Sequence, residues 1–202
     1  MTKIKICGMT RPCDIEAANA AKPDYIGFVF AKSKRRVEPE QAARLRSRLS
    51  ADIVAVGVFA DEAPENIASL LRLGIIGAAQ LHGGEEEAYI KKLKTLTSMP
   101  IIKAVSVLKA GDVQKWAESC ADYLLLDGKE GGSGGAFDWE LIGEAKKPFF
   151  LAGGLNIENI EAAIKKTSPF AVDISSGIET NGLKDEKKIK SIISIIRRIK
   201  NE

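Results

Sequence analysis

The chain is poor in the residues that build metal centres and disulfide frameworks. Its 202 residues include one histidine and three cysteines, and only 6% of them are aromatic. Cys7, Cys13 and Cys120 are odd in number and widely spaced, which argues against a secreted disulfide framework. Together with His82 they show no zinc-like spacing, so no metal site is predicted.

Long apolar runs and strong charge are also missing. No apolar run approaches the roughly 18 residues of a membrane span, and the chain opens on a strand rather than a secretory leader. The net charge is only +3, and Lys and Arg do not alternate with aromatic residues, which argues against nucleic acid as a partner. We therefore expect a cytoplasmic protein without membrane or nucleic-acid partners, and the mild positive charge favours an anionic small molecule.

The chain does contain eight short apolar runs, which recur roughly every 20 to 30 residues. They are almost continuously apolar, as strands are when both faces of a parallel sheet are buried. The first run ends at Cys7. The others are Tyr25–Phe30, Ile53–Phe59, Gly77–Leu81, Ile101–Val105, Tyr123–Leu126, Phe149–Ala152 and Phe170–Ile174.

Amphipathic segments separate these runs and predict helices. Pro39 and Pro64 each stand in a first helical turn, and Asn156 is expected to cap a helix that carries Ile157 and Ile160. The alternation predicts one (β/α)₈ barrel over residues 1–202, with an open doubly wound sheet as the alternative. The glycine-rich segment 131–135 is too short for a linker and is interpreted as a loop.

Isoleucines at helical spacing near the C-terminus predict the final helix of the outer ring, rather than a membrane-surface segment. Ile195 leaves a contact between two copies open, so a monomer and a homodimer are both compatible with the sequence.

Polar residues follow the predicted strands, where the loops of a barrel build its active site. Cys7 stands where the first strand breaks into a turn at Gly8, so it is a candidate base or nucleophile. Asp127 follows three leucines, and such a desolvating wall raises the pKa of a carboxyl into the range of a general acid. The remaining polar residues at these ends are Arg35, Asp61, His82 and Asp173.

Two turns rich in Gly and Ser follow the seventh and eighth runs. They contain Gly153-Gly154 and Ser175-Ser176. Glycines let backbone N–H groups approach an oxyanion closely, and barrels commonly bind phosphate at these two loops. Together the turns predict a phosphorylated substrate.

Six motifs occur in order along essentially the whole chain: Lys5-Ile6-Cys7-Gly8-Met9-Thr10-Arg11, Gly27-Phe28-Val29-Phe30 with Ser33-Lys34-Arg35, Gln80-Leu81-His82-Gly83, Leu125-Leu126-Asp127 with segments 131–134 and 137–139, Ala152-Gly153-Gly154-Leu155, and Val172-Asp173-Ile174-Ser175-Ser176-Gly177-Ile178-Glu179. In these motifs the sequence resembles the phosphoribosylanthranilate isomerases of tryptophan biosynthesis.

The resemblance implies an aldose–ketose isomerase that performs an Amadori rearrangement without metal, nicotinamide or pyridoxal. It places the general base at Cys7 and the general acid at Asp127. Arg35 would engage the anthranilate carboxylate, where a guanidinium suits bidentate geometry. His82 and Asp173 would also bind substrate. Gly135-Ala136 and Arg36 depart from residues frequent in the family.

Other classes of protein compete for the same residues. A Schiff-base aldolase would use Lys103, although a barrel lysine paired with a carboxylate is the simpler interpretation. A related isomerase of histidine biosynthesis carries aspartates at both catalytic positions, which disfavours it for a chain with Cys7. A non-catalytic phosphate-binding module would need no facing acid and base.

One substitution tests the phosphate turns. Gly154→Asp should raise KM sharply, because it sets a negative charge and a Cβ atom against the phosphate. Steady-state kinetics measure this, and an unchanged KM would place the phosphate elsewhere.

Overall fold

The computed structural model describes residues 1–128 and 138–199, and its centre is a closed barrel of eight parallel strands in sequential order. The last strand pairs with the first, through Lys3 with Ala171 and Ile6 with Ile174, and this pairing closes the barrel. The barrel, rather than the open sheet, is therefore correct. The strands are β1 Lys3–Cys7, β2 Tyr25–Val29, β3 Val54–Phe59, β4 Ala78–Leu81, β5 Ile101–Ser106, β6 Tyr123–Asp127, β7 Phe149–Leu151 and β8 Ala171–Ile174.

Burial on both strand faces explains the continuous apolar runs. One apolar cluster fills the inside of the barrel, and a larger one lies between the strands and the outer helices. Phe150 anchors the inner cluster, with the rings of Tyr25 and Tyr123 packed edge-on at 5.5 and 5.7 Å. These contacts leave the opposite end of the barrel to polar residues.

Six α-helices surround the barrel in the described residues, so the expected helix after every strand is wrong in two places. The helices are α1 Pro12–Ala21, α2 Pro39–Arg46, α3 Pro64–Arg72, α4 Glu87–Leu96, α5 Ile160–Thr167 and α6 Glu186–Arg198.

Short 3₁₀ turns stand where two further helices were expected. After β5 the chain forms one at Gln114–Trp116, and the Asp112 carboxylate accepts the N–H groups of Leu108 and Lys109 just before it. Before β7 it forms another at Trp139–Ile142, which ends at Gly143.

The helix predicted from Asn156 begins later than expected. It starts at Ile160, and Ile157 is exposed outside it. The Asn156 side chain instead accepts the N–H groups of Glu158 and Asn159, so it caps the turn that leads into the helix. Proline does mark the starts of α2 and α3, as predicted.

The C-terminal α6 completes the ring as predicted. It buries Ile189, Ile192, Ile193 and Ile196, and Ile195 lies half-buried against the same core. None of the helices in the described residues is long and apolar enough to cross a membrane.

Truncation on the buried face of α6 should destabilise the protein. Ile192→Ala should lower the free energy of unfolding by about 2–5 kcal/mol, because it removes apolar contacts and leaves a cavity. Lys190→Ala, on the exposed face, should cost less than about 1 kcal/mol. Urea denaturation measures both, and equal losses would contradict this packing.

Candidate active site

Cys7 is the last residue of β1, and its thiol lies buried at the mouth of the barrel. The chain then turns at Gly8, whose φ of 88° favours glycine. Gly27 on β2 makes room for the thiol, since a Cβ atom there would stand 2.6 Å from the Cys7 sulfur. Gly8 therefore allows the turn that follows Cys7, and Gly27 leaves the space that its sulfur occupies.

The surroundings of Cys7 act on its proton in opposite directions. Burial has the largest influence and raises the pKa of the thiol above its ordinary value. The positive charges of Lys5 and Lys184 lower the pKa, while the Asp173 carboxylate raises it. The thiolate is thus desolvated but faces cations.

Asp127 is the last residue of β6 and emerges at the same mouth of the barrel. Burial, supported by the negative charge of Asp173, raises the pKa of this carboxyl to about 6. The predicted effect of the leucine wall is therefore present. Its Oδ2 lies 4.0 Å from Nε2 of His82.

His82 follows β4 and is held in place by its neighbours. Its Nδ1 lies 2.9 Å from Nε2 of Gln80, and its backbone N–H donates to the Phe59 carbonyl. Burial lowers the pKa of the imidazole, so the ring is neutral near pH 7. A neutral ring beside Asp127 suits binding of a polar substrate group.

Asp173 lies within β8 and joins the preceding groups. Its Oδ2 accepts a 2.9 Å hydrogen bond from Lys5, and its Oδ1 is buried without a partner in the described residues. The carboxylate influences the pKa values of Cys7, His82 and Asp127. The structure therefore brings these four predicted site residues together.

Arg35 reaches the same mouth of the barrel but is already paired. Its Nε and Nη2 donate to the Glu179 carboxylate at 2.7 and 2.8 Å. Lys184 also donates to Glu179, at 2.6 Å, and to the Ser175 carbonyl at 3.0 Å. Burial favours the neutral form of Glu179, but these hydrogen bonds outweigh burial and lower the pKa of its carboxyl.

Glu179 and Lys184 were missed as functional candidates because their role depends on this spatial pairing. They lie on a small antiparallel hairpin, β9 Glu179–Thr180 and β10 Leu183–Lys184, that follows β8. A signal in the sequence was Glu179 itself, which ends the last of the motifs shared with the family.

The two glycine- and serine-rich turns lie against each other. Gly153 and Gly154 have φ values of 83° and 62°, and their N–H groups donate to no acceptor within residues 1–128 and 138–199. A Cβ atom on Gly177 would stand 2.0 Å from the Leu155 carbonyl, so only glycine permits this approach. The Ser175 hydroxyl donates to the Cys7 carbonyl at 3.1 Å, so its proton is already engaged within the protein.

Lys103 is a structural lysine rather than a free amine. Its ammonium donates to Glu85 at 3.1 Å and to the Gly83 carbonyl at 2.8 Å, and both side chains are buried. Glu85 also accepts the N–H of Asp61, so the pair ties the loops after β3 and β4. This arrangement supports the ion-pair interpretation over the aldolase.

Two of the residues that depart from the family lie outside the described residues. These two residues are Gly135 and Ala136. The rest of the glycine-rich segment 131–135 and Phe137 also lie outside the described residues. Arg36 lies at the surface, where its guanidinium pairs with the Glu38 carboxylate at 3.2 Å.

A thiol and a carboxyl lie together at the end of a (β/α)₈ barrel where enzymes of this fold carry their active sites. The fold and the site together define a barrel enzyme. Residues 4–195 match the model of the N-(5'phosphoribosyl)anthranilate (PRA) isomerase family. The isomerase of Endomicrobium trichonymphae is 48% identical over 203 residues, covering 98% of this chain and 100% of that protein. The chain belongs to the PRA isomerase family.

Solved structures agree with this assignment. The phosphoribosylanthranilate isomerase of Thermotoga maritima has a TM-score of 0.89 and 37% identity, covering 98% of this chain and 100% of that one. A second phosphoribosylanthranilate isomerase structure, in complex with reduced 1-(o-carboxyphenylamino)-1-deoxyribulose 5-phosphate, has a TM-score of 0.86 and 36% identity, with coverage of 98% and 100%. A third describes monomers generated from the dimeric Thermotoga maritima enzyme.

The ion pairs that Glu179 makes with Arg35 and Lys184 should contribute to the stability of the protein. Glu179→Ala should lower the free energy of unfolding by about 3 kcal/mol, because it leaves Arg35 and the buried Lys184 without a carboxylate. Glu38→Ala removes a matched exposed pair with Arg36 and should cost less than about 1 kcal/mol. Chemical denaturation measures both losses, and a negligible loss for Glu179→Ala would contradict a stabilising role for its ion pairs.

Proposed function

We propose that Cys7 is the general base and Asp127 the general acid of the isomerisation that defines this family. The reaction converts N-(5-phosphoribosyl)anthranilate into 1-(2-carboxyphenylamino)-1-deoxyribulose 5-phosphate in tryptophan biosynthesis. The observation that carries the assignment is a buried thiol and a partly buried carboxyl at one barrel mouth, with cations beside the thiol and the Asp173 carboxylate beside Asp127. Asp127 keeps its proton to a higher pH than an ordinary aspartate, and Cys7 faces buried cations.

Asp127 acts first, on the oxygen of the ribose ring. Its proton passes to that oxygen while the C1–O bond breaks, and the anthranilate nitrogen donates its lone pair to C1. The product is an open-chain iminium with a positive charge on nitrogen. Asp127 is left as a carboxylate, which the neutral Nε2 side of His82 faces.

Cys7 acts second, on the C2 hydrogen that the iminium has acidified. The thiolate takes this proton, and the C2–H electron pair forms the C1=C2 bond while the nitrogen recovers its lone pair. Ketonisation then adds a proton at C1 and removes one from the C2 hydroxyl. Atoms and charge balance, since the product is an isomer of the substrate.

The remaining site residues hold the two ends of the substrate. Arg35 would receive the anthranilate carboxylate, and the free Oδ1 of Asp173 would accept a hydrogen bond from a sugar hydroxyl. His82 would contact the polar middle of the substrate. The N–H groups of Gly153 and Gly154, with the turn at Ser175 and Ser176, would bind the phosphate.

The protein binds a phosphorylated small molecule, as its family does. We further propose that residues 1–202 form one domain. A cytoplasmic location and assembly into a homodimer stay predictions, the second supported by the dimeric Thermotoga maritima relative.

The proton roles predict a characteristic pH profile of kcat/KM. Asp127, with a pKa of about 6, must be protonated, while Cys7, with a raised pKa, must be ionised. Activity should rise up to about pH 6 as thiolate accumulates and fall above the pKa of Cys7. In between it should stay flat, because thiolate is gained as fast as protonated Asp127 is lost. Fluorescence of the anthranilate group measures turnover.

The variants separate the two limbs of this profile. Cys7→Ala and Asp127→Asn should each lower kcat by about 10²- to 10⁴-fold, with substrate affinity held within about tenfold. Residual activity of Asp127→Asn should climb across the flat region, because it then follows the thiolate alone. Cys13→Ala and Cys120→Ala, at exposed thiols, should keep most activity. Normal turnover by Cys7→Ala would sink the base assignment.

A further inference from the structure

Lys5 is a fully buried lysine at the centre of the site, and the proposed reaction gives it no task so far. It lies on β1 two residues before Cys7 and shows 0% exposure. Successive strand residues alternate between faces, so Lys5 and Cys7 lie on the same face of β1, with Cys7 nearer the mouth. The β1–β8 register sets Lys5 opposite Asp173, and their side chains pair at 2.9 Å.

Stability alone does not account for a charged pair at this depth. Moving two charges from water into a protein interior costs several kcal/mol per ion, and apolar residues of similar volume commonly replace such pairs without loss. The inner cluster of this barrel shows that apolar packing is available a layer below. The Lys103–Glu85 pair ties two loops together, whereas Lys5 and Asp173 lie on strands that main-chain pairing already joins, so we look for the role of this pair at the neighbouring Cys7.

The group that Lys5 acts on is the Cys7 thiol. The charged groups facing Cys7 are Lys5 on its own strand, Asp173 on β8, Lys184 on β10 and Arg35 after β2. Among them Lys5 has the largest influence, chiefly through its charge. Lys184 and Arg35 each pair with the Glu179 carboxylate, whose negative charge offsets part of their effect on the thiol.

Lys5 remains charged despite its burial. Desolvation by itself would lower the pKa of this ammonium, but Asp173 and Cys7 more than offset it, so the net direction is upward. At its other end the pair places the Asp173 carboxylate toward Asp127, where a negative charge helps retain the acid's proton. One ion pair thus favours ionised Cys7 and protonated Asp127 at the same time.

We propose that Lys5 is a positioning residue for the catalytic base: its buried ammonium, held by Asp173, makes the Cys7 thiolate available for proton abstraction. This inference rests on the proposed role of Cys7. Lys5 acts through Cys7 and takes no proton from the substrate itself.

The test follows ionisation of Cys7 directly, through the far-ultraviolet absorbance of its thiolate. Cys13→Ser and Cys120→Ser leave Cys7 as the single thiol. In that background Lys5→Met should move thiolate formation to higher pH and lower kcat/KM near pH 7 by about tenfold or more, because an opposite charge has been lost. Lys103→Met is the matched control, since it breaks another buried barrel pair but does not face Cys7. It should leave the thiol titration unchanged.

A second variant covers the case in which Lys5→Met fails to fold. Lys5→Met with Asp173→Asn removes both charges, and the titration should still move upward, because Lys5 influences the thiol more than Asp173 does. A titration equal to that of the unsubstituted background in the folded variant would overturn the proposal alone. Normal turnover by Cys7→Ala would instead refute the base assignment, and this proposal with it.

Discussion

The pairing of β8 with β1 is the contact on which the rest of the molecule depends. It turns a row of parallel strands into a closed surface without edges, so every strand is flanked on both sides. It also sets Asp173 beside Lys5, residues 168 positions apart in sequence. Closure of the sheet and assembly of the charged site are therefore one event, and neither is complete while the terminal strands are apart.

Cys7 and Asp127 are largely shielded from water, so burial and neighbouring charges shift their pKa values. Burial alone would hold both proton carriers in their neutral forms, which is right for an acid and wrong for a base. The cations at Lys5 and Lys184 offset part of this effect for Cys7, whose pKa stays above its ordinary value, while Asp173 adds to it for Asp127. In the proposed reaction, an iminium formed next to Cys7 would add a further positive charge, which would favour the thiolate over the thiol.

The sequence predicted the strands well, since each buried strand is a compact apolar run and closure follows from eight of them. Helices were harder: the segment after β5 forms only a 3₁₀ turn, although Asp112 accepts two backbone N–H groups there just as Asp14 does at the start of α1. Cys7 and Asp127 were visible because each ends a strand. Glu179 and Lys184 were not, because Glu179 pairs with Arg35 across 144 residues and no local pattern reveals that partner.

The contact between Gly177 and the Leu155 carbonyl has a consequence for the evolution of the substrate end. Because the two turns meet backbone to backbone, the shape of the cradle depends on main-chain geometry and not on the chemistry of a side chain. Substitutions at this end are therefore limited mainly by bulk, whereas the opposite end, at Arg35, presents a side chain that can be exchanged. Under the proposed roles, new specificities would arise by changing the residues around the aromatic half of the ligand while the backbone turns keep binding its phosphate.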